Sequence, residues 1–333
     1  MKSHLLDLAD LSRDEVVHLV QLARRLQDHP EPHALAGKIL GLVFFNPSLR
    51  TLASTQAGMA KLGGSSFVIT PGQGTWQLES RLGVTMNGAC AEHIREGLPV
   101  LASFCDILGI RSFAAGIDLT ADVADSDYKA MASVIPSPLV NLESAIAHPM
   151  QGLADWKTLD DLNVPQGSRF VLSWVNHPRA LPLAVPATAV HMAALRGHEV
   201  VVLRPDGYAL PAAVRDKARY AAQLSGGSVT ETSDRNMALA GASIVYAKEW
   251  GSPEHYGDSA TETALRAGLS DWQVREDWFT SARSDCRFMH CLPVRRNVAV
   301  ADEILDGSRS VVLQEANNRL WTQMAVLHHL LKP

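Results

Sequence analysis

The feature that most constrains this chain is a rhythm of short apolar runs separated by stretches of helical periodicity. Lys38 to Phe45 is such a run, followed by a helical stretch from about Leu52 to Leu62 that closes on Gly63-Gly64. Ser66 to Thr70, Cys105 to Ile110 and Leu139 to Leu142 read as further strands, with helices over about Cys90 to Ser103 and Asp122 to Val134 between them. The second half repeats the alternation. Strands are expected at Phe170 to Trp174, Val200 to Leu203, Ser243 to Ala247, Arg287 to His290 and Val311 to Leu313, and the chain closes on a helix from about Asn318 to Leu331. Short apolar runs alternating with helices specify parallel sheets covered by helices on both faces. The expected class is therefore α/β, with two doubly wound parallel-sheet domains. Ser12, with Glu15 three residues later, reads as a capping box opening the first helix.

Length and composition support two domains. The chain has 333 residues, and domains usually hold roughly 100–200. Apolar residues make up 47% and charged residues 20%, which argues against a disordered chain. The boundary is expected near His148-Pro149-Met150-Gln151. That gives a first domain over 1–147, joined by the C-terminal helix (about 318–333), and a second over 148–317.

Several function classes are disfavoured. Thirty basic against 35 acidic residues leave no basic excess for a nucleic acid. No apolar run reaches the ~18 residues of a membrane span. Cys90, Cys105, Cys286 and Cys291 form no C-x-x-C pair, so no metal site is expected. Together with an N-terminus that lacks a signal-peptide core, this points to reduced thiols and a cytoplasmic protein. Neither a phosphate-binding G-x-x-x-x-G-K-[ST] nor a strand-linked G-x-G-x-x-G is present.

In open parallel sheets, ligands bind beyond the carboxyl ends of the strands, so the residues there decide the chemistry. After the first strand stand Ser48, Leu49, Arg50 and Thr51, at the start of a helix. A helix N-terminus offers unpaired N–H groups and a positive dipole end, and an arginine adds a two-pronged anion fork. The plain alternative is that Ser48 only caps the helix. Arg111 follows another strand; Glu143 and then His148 to Gln151 follow the next. In the second half Lys248 and Cys291-Leu292-Pro293-Val294-Arg295-Arg296 occupy the same kind of position.

Three of these strings, Ser-Leu-Arg-Thr at 48–51, His-Pro-Met-Gln at 148–151 and His-Cys-Leu-Pro at 290–293, resemble the aspartate/ornithine carbamoyltransferase superfamily in order and spacing over nearly the whole chain. Phe44-Phe45-Asn46-Pro47, the Trp76 loop, Met86-Asn87-Gly88, Tyr246-Ala247-Lys248 and the segment through Asn297 resemble its N-acylornithine branch. The resemblance implies transfer of a carbamoyl group from carbamoyl phosphate to the side-chain amine of an N-acetyl- or N-succinylornithine, with no cofactor, in a homotrimer. It implies that Ser48, Leu49, Arg50, Thr51 and Arg111 hold the phosphate, with Trp76 given by a neighbouring subunit. His148, Gln151, Arg295 and the backbone carbonyls near Cys291 and Leu292 would hold the carbamoyl group, and Glu143 and Lys248 the ornithine backbone. The branch also implies a trefoil knot, in which the segment about Tyr246 to Trp250 passes through a loop at about Asn176 to Pro186.

The chain departs from the branch at three positions. Leu52 stands where a second arginine is usual, Ala299 where the acetylornithine enzymes carry a lysine, and Ala91 where they carry a glutamate. Losing the glutamate removes a charge that would repel a succinyl carboxylate, so the departures favour N-succinylornithine over N-acetylornithine. A different amine, such as free ornithine, and a non-catalytic ligand-binding relative remain the alternatives.

Overall fold

A computed structural model describes residues 4–332. The chain divides into two compact units. The first comprises the segments up to Ala114, Ala124–Met150 and from Arg319 onward; the second comprises Ala115–Val123 and Gln151–Asn318.

The strands of the first unit are β1 (His4–Leu5), β2 (Ile39–Phe44), β3 (Ser65–Ile69), β4 (Leu78–Glu79), β5 (Glu92–His93), β6 (Ile107–Arg111) and β7 (Leu139–Glu143). Five form one parallel sheet in the order β1-β7-β6-β2-β3, and β4 pairs with β5 separately. The central strands β6 and β7 are buried throughout, as sheets covered on both faces require. The side chains of the two flanking strands leave no room for one at Gly41 of β2, where a Cβ would lie 2.7 Å from Leu108 on β6 and 2.8 Å from Phe67 on β3. Ser12 caps the helix Arg13–Asp28 as expected: its Oγ accepts from the Glu15 N–H, and the Glu15 carboxylate accepts from the Ser12 N–H.

The second unit holds β8 (Arg169–Trp174), β9 (Glu199–Leu203), β10 (Ser228–Thr232), β11 (Ile244–Lys248) and β12 (Arg287–Met289), all parallel, in the order β10-β9-β8-β11-β12. Its helix Ala184–Leu195 is buried along its whole length. The α/β class with two parallel sheets is thus as the sequence predicts. Both sheets reverse direction once. In the first unit the chain moves outward from β2 to β3 and returns to β6 on the other side of β2; in the second it moves outward from β8 and returns to β11. Such reversal points open a crevice at the strand ends. They select the loops after β2 and β6 in one unit and after β8 and β11 in the other.

Some elements differ from expectation. Val311 to Leu313 is not a strand: Ser310 makes one isolated bridge to Phe288, and the helix Val312–Leu331 starts at once. Val311 and Val312 are buried and Leu313 is exposed, and the helix begins six residues earlier than expected. The single helix expected over Asp122 to Val134 is two, Leu119–Val123 and Ser126–Ala132, with Asp125 at φ 54° between them. A left-handed residue cannot continue a right-handed helix. The helix expected from Cys90 starts at Ile94, because Glu92 and His93 are taken up by β5.

Candidate active site

The first unit gathers its functional side chains at the ends of β2, β6 and β7. The helix Leu49–Lys61 follows β2 directly, and the Ser48 Oγ caps it by accepting the Thr51 N–H at 3.2 Å. The capping alternative is therefore realised, and it is what fixes the helix start that carries Arg50. Leu49 is exposed, Arg50 half-buried and Thr51 fully buried. Thr51 Oγ1 accepts from the Arg319 guanidinium at 2.6 Å.

A register shift between Ile110 and Arg111 sets Arg111 opposite Glu143. The two form a buried ion pair, and the Arg111 guanidinium also lies 4.4 Å from the centre of the Phe113 ring. The Glu143 carboxylate stands 3.5 Å from His148 Nε2. Glu143, assigned by resemblance to the ornithine backbone, is thus placed in the arginine cluster of the first unit, as the partner of Arg111. Burial first, and then the positive charges of Arg319, Arg111 and Arg50, hold the His148 pKa well below the ordinary histidine value. An imidazole so held favours its neutral form, which offers one N–H without adding a charge.

Trp76 lies on an exposed loop, 60% accessible, and its indole N–H donates to Glu92 Oε2 at 2.7 Å. Ala91, next to Glu92, is exposed.

In the second unit Lys248 ends β11. Its ammonium is buried and paired with Glu249 at 3.1 Å. Burial raises the Glu249 carboxyl, but Lys248 and His290 outweigh it and hold its pKa well below the usual carboxylate range. Beyond β12, the buried His290 organises the following turn. The Leu292 N–H donates to His290 Nδ1 at 2.9 Å, so the ring's other nitrogen carries the proton, 3.4 Å from Glu249. Leu292 adopts a left-handed φ of 54°. Non-glycine residues held there cost of order 1–3 kcal/mol and concentrate at functional sites. Cys291 is buried and Arg295 exposed. Arg296 pairs instead with Asp302 and Asp306. Ala299 is fully buried. Gln151 opens the unit on the helix Pro149–Asp161, where its amide nitrogen donates to Asp155 and Glu315.

Sequence reasoning missed Arg319, Glu315 and Asp155. One signal was available for two of them: Glu315, Arg319 and Gln323 recur every four residues along the last helix, and all three are buried. Polar residues in helical register on a buried face require partners. Among the described residues no group of three His, Cys, Asp or Glu side chains is placed to hold a metal ion.

Residues 3–161 match the family profile described as the carbamoyl-P binding domain of aspartate/ornithine carbamoyltransferase, and residues 184–330 match its Asp/Orn binding domain. The chain belongs to the aspartate/ornithine carbamoyltransferase family. It is an enzyme, a carbamoyltransferase. Within the family it is 36% identical over 328 residues to the N-acetylornithine carbamoyltransferase of Xanthomonas campestris pv. campestris, covering 97% of this chain and 96% of that one. It is 32% identical over 334 residues to the N-succinylornithine carbamoyltransferase of Bacteroides thetaiotaomicron, covering 100% and 95%. A crystal structure of an N-acetyl-L-ornithine transcarbamylase with a glutamate replaced by alanine, complexed with carbamyl phosphate and N-succinyl-L-norvaline, superposes with a TM-score of 0.95 at 36% identity, covering 99% of this chain and all of that one.

Proposed function

We propose that this enzyme transfers the carbamoyl group of carbamoyl phosphate to the side-chain amine of an N2-acylated L-ornithine, giving N-acylcitrulline and phosphate, as a cytoplasmic step of arginine biosynthesis. The observation that carries the reading is the cluster at the strand ends of the first unit: the buried His148 beside the Arg111–Glu143 ion pair, and the helix start that carries Arg50, with Arg319 bonded to its Thr51. The neutral amine attacks the carbonyl carbon. A C–N bond forms, the bond from the carbonyl carbon to the bridging oxygen breaks, and phosphate leaves with that electron pair and takes up the proton the amine gives up. Charge grows on the carbonyl oxygen and on the departing phosphate. Arg50 and Arg111 suit the phosphate, and an uncharged imidazole N–H suits the carbonyl oxygen.

The first unit is assigned carbamoyl phosphate and the second, over about 151–318, the acylornithine. Lys248 is the cation there suited to the ornithine carboxylate. Ser48, Leu49 and Thr51 supply the helix N-terminus, and Gln151, Arg295 and the carbonyls of Cys291 and Leu292 the contacts to the carbamoyl group. The branch of the family is supported by relatives that act on acetyl- and succinylornithine. For the acyl group we favour succinyl. A related acetylornithine enzyme holds a succinylated ligand when a glutamate is changed to alanine, and this chain carries alanine naturally at position 91.

The test is citrulline formation from N-succinyl-, N-acetyl- and free ornithine under saturating carbamoyl phosphate. Turnover of an acylated ornithine, with none of free ornithine, is the expected outcome. Turnover of free ornithine alone rejects the acylated substrate, and no turnover with any amine favours a ligand-binding relative.

The assembly proposed is a homotrimer in which Trp76 serves a neighbouring subunit. An indole supplies large apolar area with one N–H donor, and Trp76 is exposed within its own chain. Mixing Arg50→Ala chains with Trp76→Ala chains is expected to restore part of the lost activity. Heterotrimers that remain inactive argue for sites contained within one chain. A knot in the second unit, with the segment Tyr246 to Trp250 threaded through about 176–186, is part of the same proposal; the Gly251 N–H donating to the Leu181 carbonyl supports the proximity it needs.

A further inference from the structure

The second unit contains a buried group of acidic side chains that the mechanism above leaves without a task. Gln151 is 1% exposed, and Asp155 and Glu315 are fully enclosed. Both hydrogens of the Gln151 amide are spent on them: Nε2 donates to Asp155 Oδ1 at 2.8 Å and to Glu315 Oε1 at 3.1 Å. The amide oxygen, Oε1, is enclosed and meets no hydrogen-bond partner among the described residues. Glu315 is used twice. Its other oxygen, Oε2, accepts the His290 N–H at 2.9 Å. His290 in turn accepts the Leu292 N–H on its ring nitrogen. One carboxyl group therefore spans the 164 residues between Gln151 and Glu315 and the 25 between His290 and Glu315.

The chemistry of this arrangement is directional. Two carboxyl groups present only acceptor oxygens, apart from any proton they share. A Gln151 amide turned the other way would set its own oxygen against theirs, with a buried N–H2 left unmatched, which costs the desolvation of each lost partner. The acidic pair thus admits the amide in one orientation, with Oε1 turned away from it.

We propose that Glu315, assisted by Asp155, is a positioning residue that fixes the Gln151 amide oxygen and the Cys291–Leu292 turn in one frame, as paired acceptors for the N–H2 of the carbamoyl group. The inference rests on the carbamoyl-transfer reading of Gln151 and deepens it. Burial and the neighbouring Asp155 carboxyl push the Glu315 carboxyl well above its ordinary range, in keeping with one proton held between the two groups. The Tyr246 hydroxyl beside the pair is itself pushed well above its ordinary range by burial and then by Asp155 and Glu315.

Three variants and one spectrum test this. Glu315→Gln keeps the shape but replaces one of two acceptor oxygens with a donor, so it must lose either Gln151 or His290. Its kcat is expected to fall about 100-fold, the size of a small misplacement of reacting groups, while KM for the acylornithine changes less than threefold. Asp155→Asn keeps an acceptor for Gln151 and gives its N–H2 to Glu315 in place of the shared proton, so its loss should be about tenfold smaller than that of Glu315→Gln. Asp155→Ala, which offers neither, should fall to the level of Glu315→Gln. A folded Glu315→Gln with kcat within threefold of wild type overturns the proposal, as does an Asp155→Asn no better than Asp155→Ala. Infrared difference spectra give a readout independent of turnover: wild type at neutral pH should show the carbonyl stretch of a protonated buried carboxyl that disappears in Glu315→Gln. Its absence overturns the shared-proton pair even where a variant fails to fold. A wild-type protein inactive on every amine that still shows this band rejects the substrate reading and leaves the pair standing.

Discussion

Arg50→Ala is expected to lower kcat/KM by at least about a thousandfold, at the upper edge of the 10²–10³ commonly lost with one preorganised donor. The excess over a single donor follows from position. Arg50 is the second residue of the helix Leu49–Lys61, beyond the Ser48 cap, so its guanidinium acts where unpaired N–H groups and the positive dipole end already favour an anion. Its loss would remove the charge proposed to close that site on the phosphate. Arg50 is half-buried rather than fully solvent-facing as a surface arginine would be; its truncation nevertheless opens no core cavity, and the melting temperature should move by only a few degrees. Arg50→Lys separates charge from shape. A lysine restores the charge but not the two-pronged fork, and an activity between those of wild type and Arg50→Ala is expected. Near-normal turnover in Arg50→Ala, measured by citrulline formation with a circular dichroism spectrum matching wild type, would sink the phosphate assignment.

How much of this was legible in the sequence divides along the range of the interactions. The strands whose burial is continuous, such as β2, β6 and β8, announce themselves because a short apolar run has few other uses. The strand-end residues Arg50, Arg111, His148 and Lys248 follow from the architecture, since ligands collect where such sheets reverse. Short-range chemistry was also legible: Ser12 and Ser48 cap their helices as their types and spacing require. What stayed hidden is non-local. Arg319 reaches Thr51 across 268 residues, and Glu315 reaches Gln151 across 164; no local pattern encodes those pairings. The same holds for the Trp76–Glu92 hydrogen bond, which closes a loop whose glycines only permit it. Asp125 hid its break because aspartate is tolerated both inside a helix and at positive φ. Val311 to Leu313 misled because a run of three apolar residues is too short for periodicity to separate strand from helix, and Leu313 proves to be exposed.

The succinyl preference proposed above turns on Ala91, an uncharged position beside Glu92. In β5 the Glu92 carboxylate accepts the Trp76 indole N–H at 2.7 Å, so this acid has a fixed partner within its own loop. Ala91, immediately before it, carries neither charge nor bulk. Ala91→Glu would place a second, unpartnered carboxylate there. Against the distal carboxylate of a succinyl group about 4 Å away, the repulsion is about 4 kcal/mol at an effective dielectric near 20 and about 1 kcal/mol if bulk water intervenes. At roughly 1.4 kcal/mol per tenfold, kcat/KM for N-succinylornithine is expected to fall between about 5-fold and 10³-fold. The exposure of Ala91 allows salt to shorten the range of the effect, so the loss should shrink as ionic strength rises. N-acetylornithine ends in an uncharged methyl group, and its kcat/KM should change by well under the same factor. The decisive measurement is the ratio of the two kcat/KM values, in wild type and in Ala91→Glu, at low and high salt. A wild-type ratio favouring the acetyl substrate rejects succinyl as the preferred acyl group. An equal loss for both substrates in Ala91→Glu would mean that the residue acts through bulk or loop conformation and not through charge.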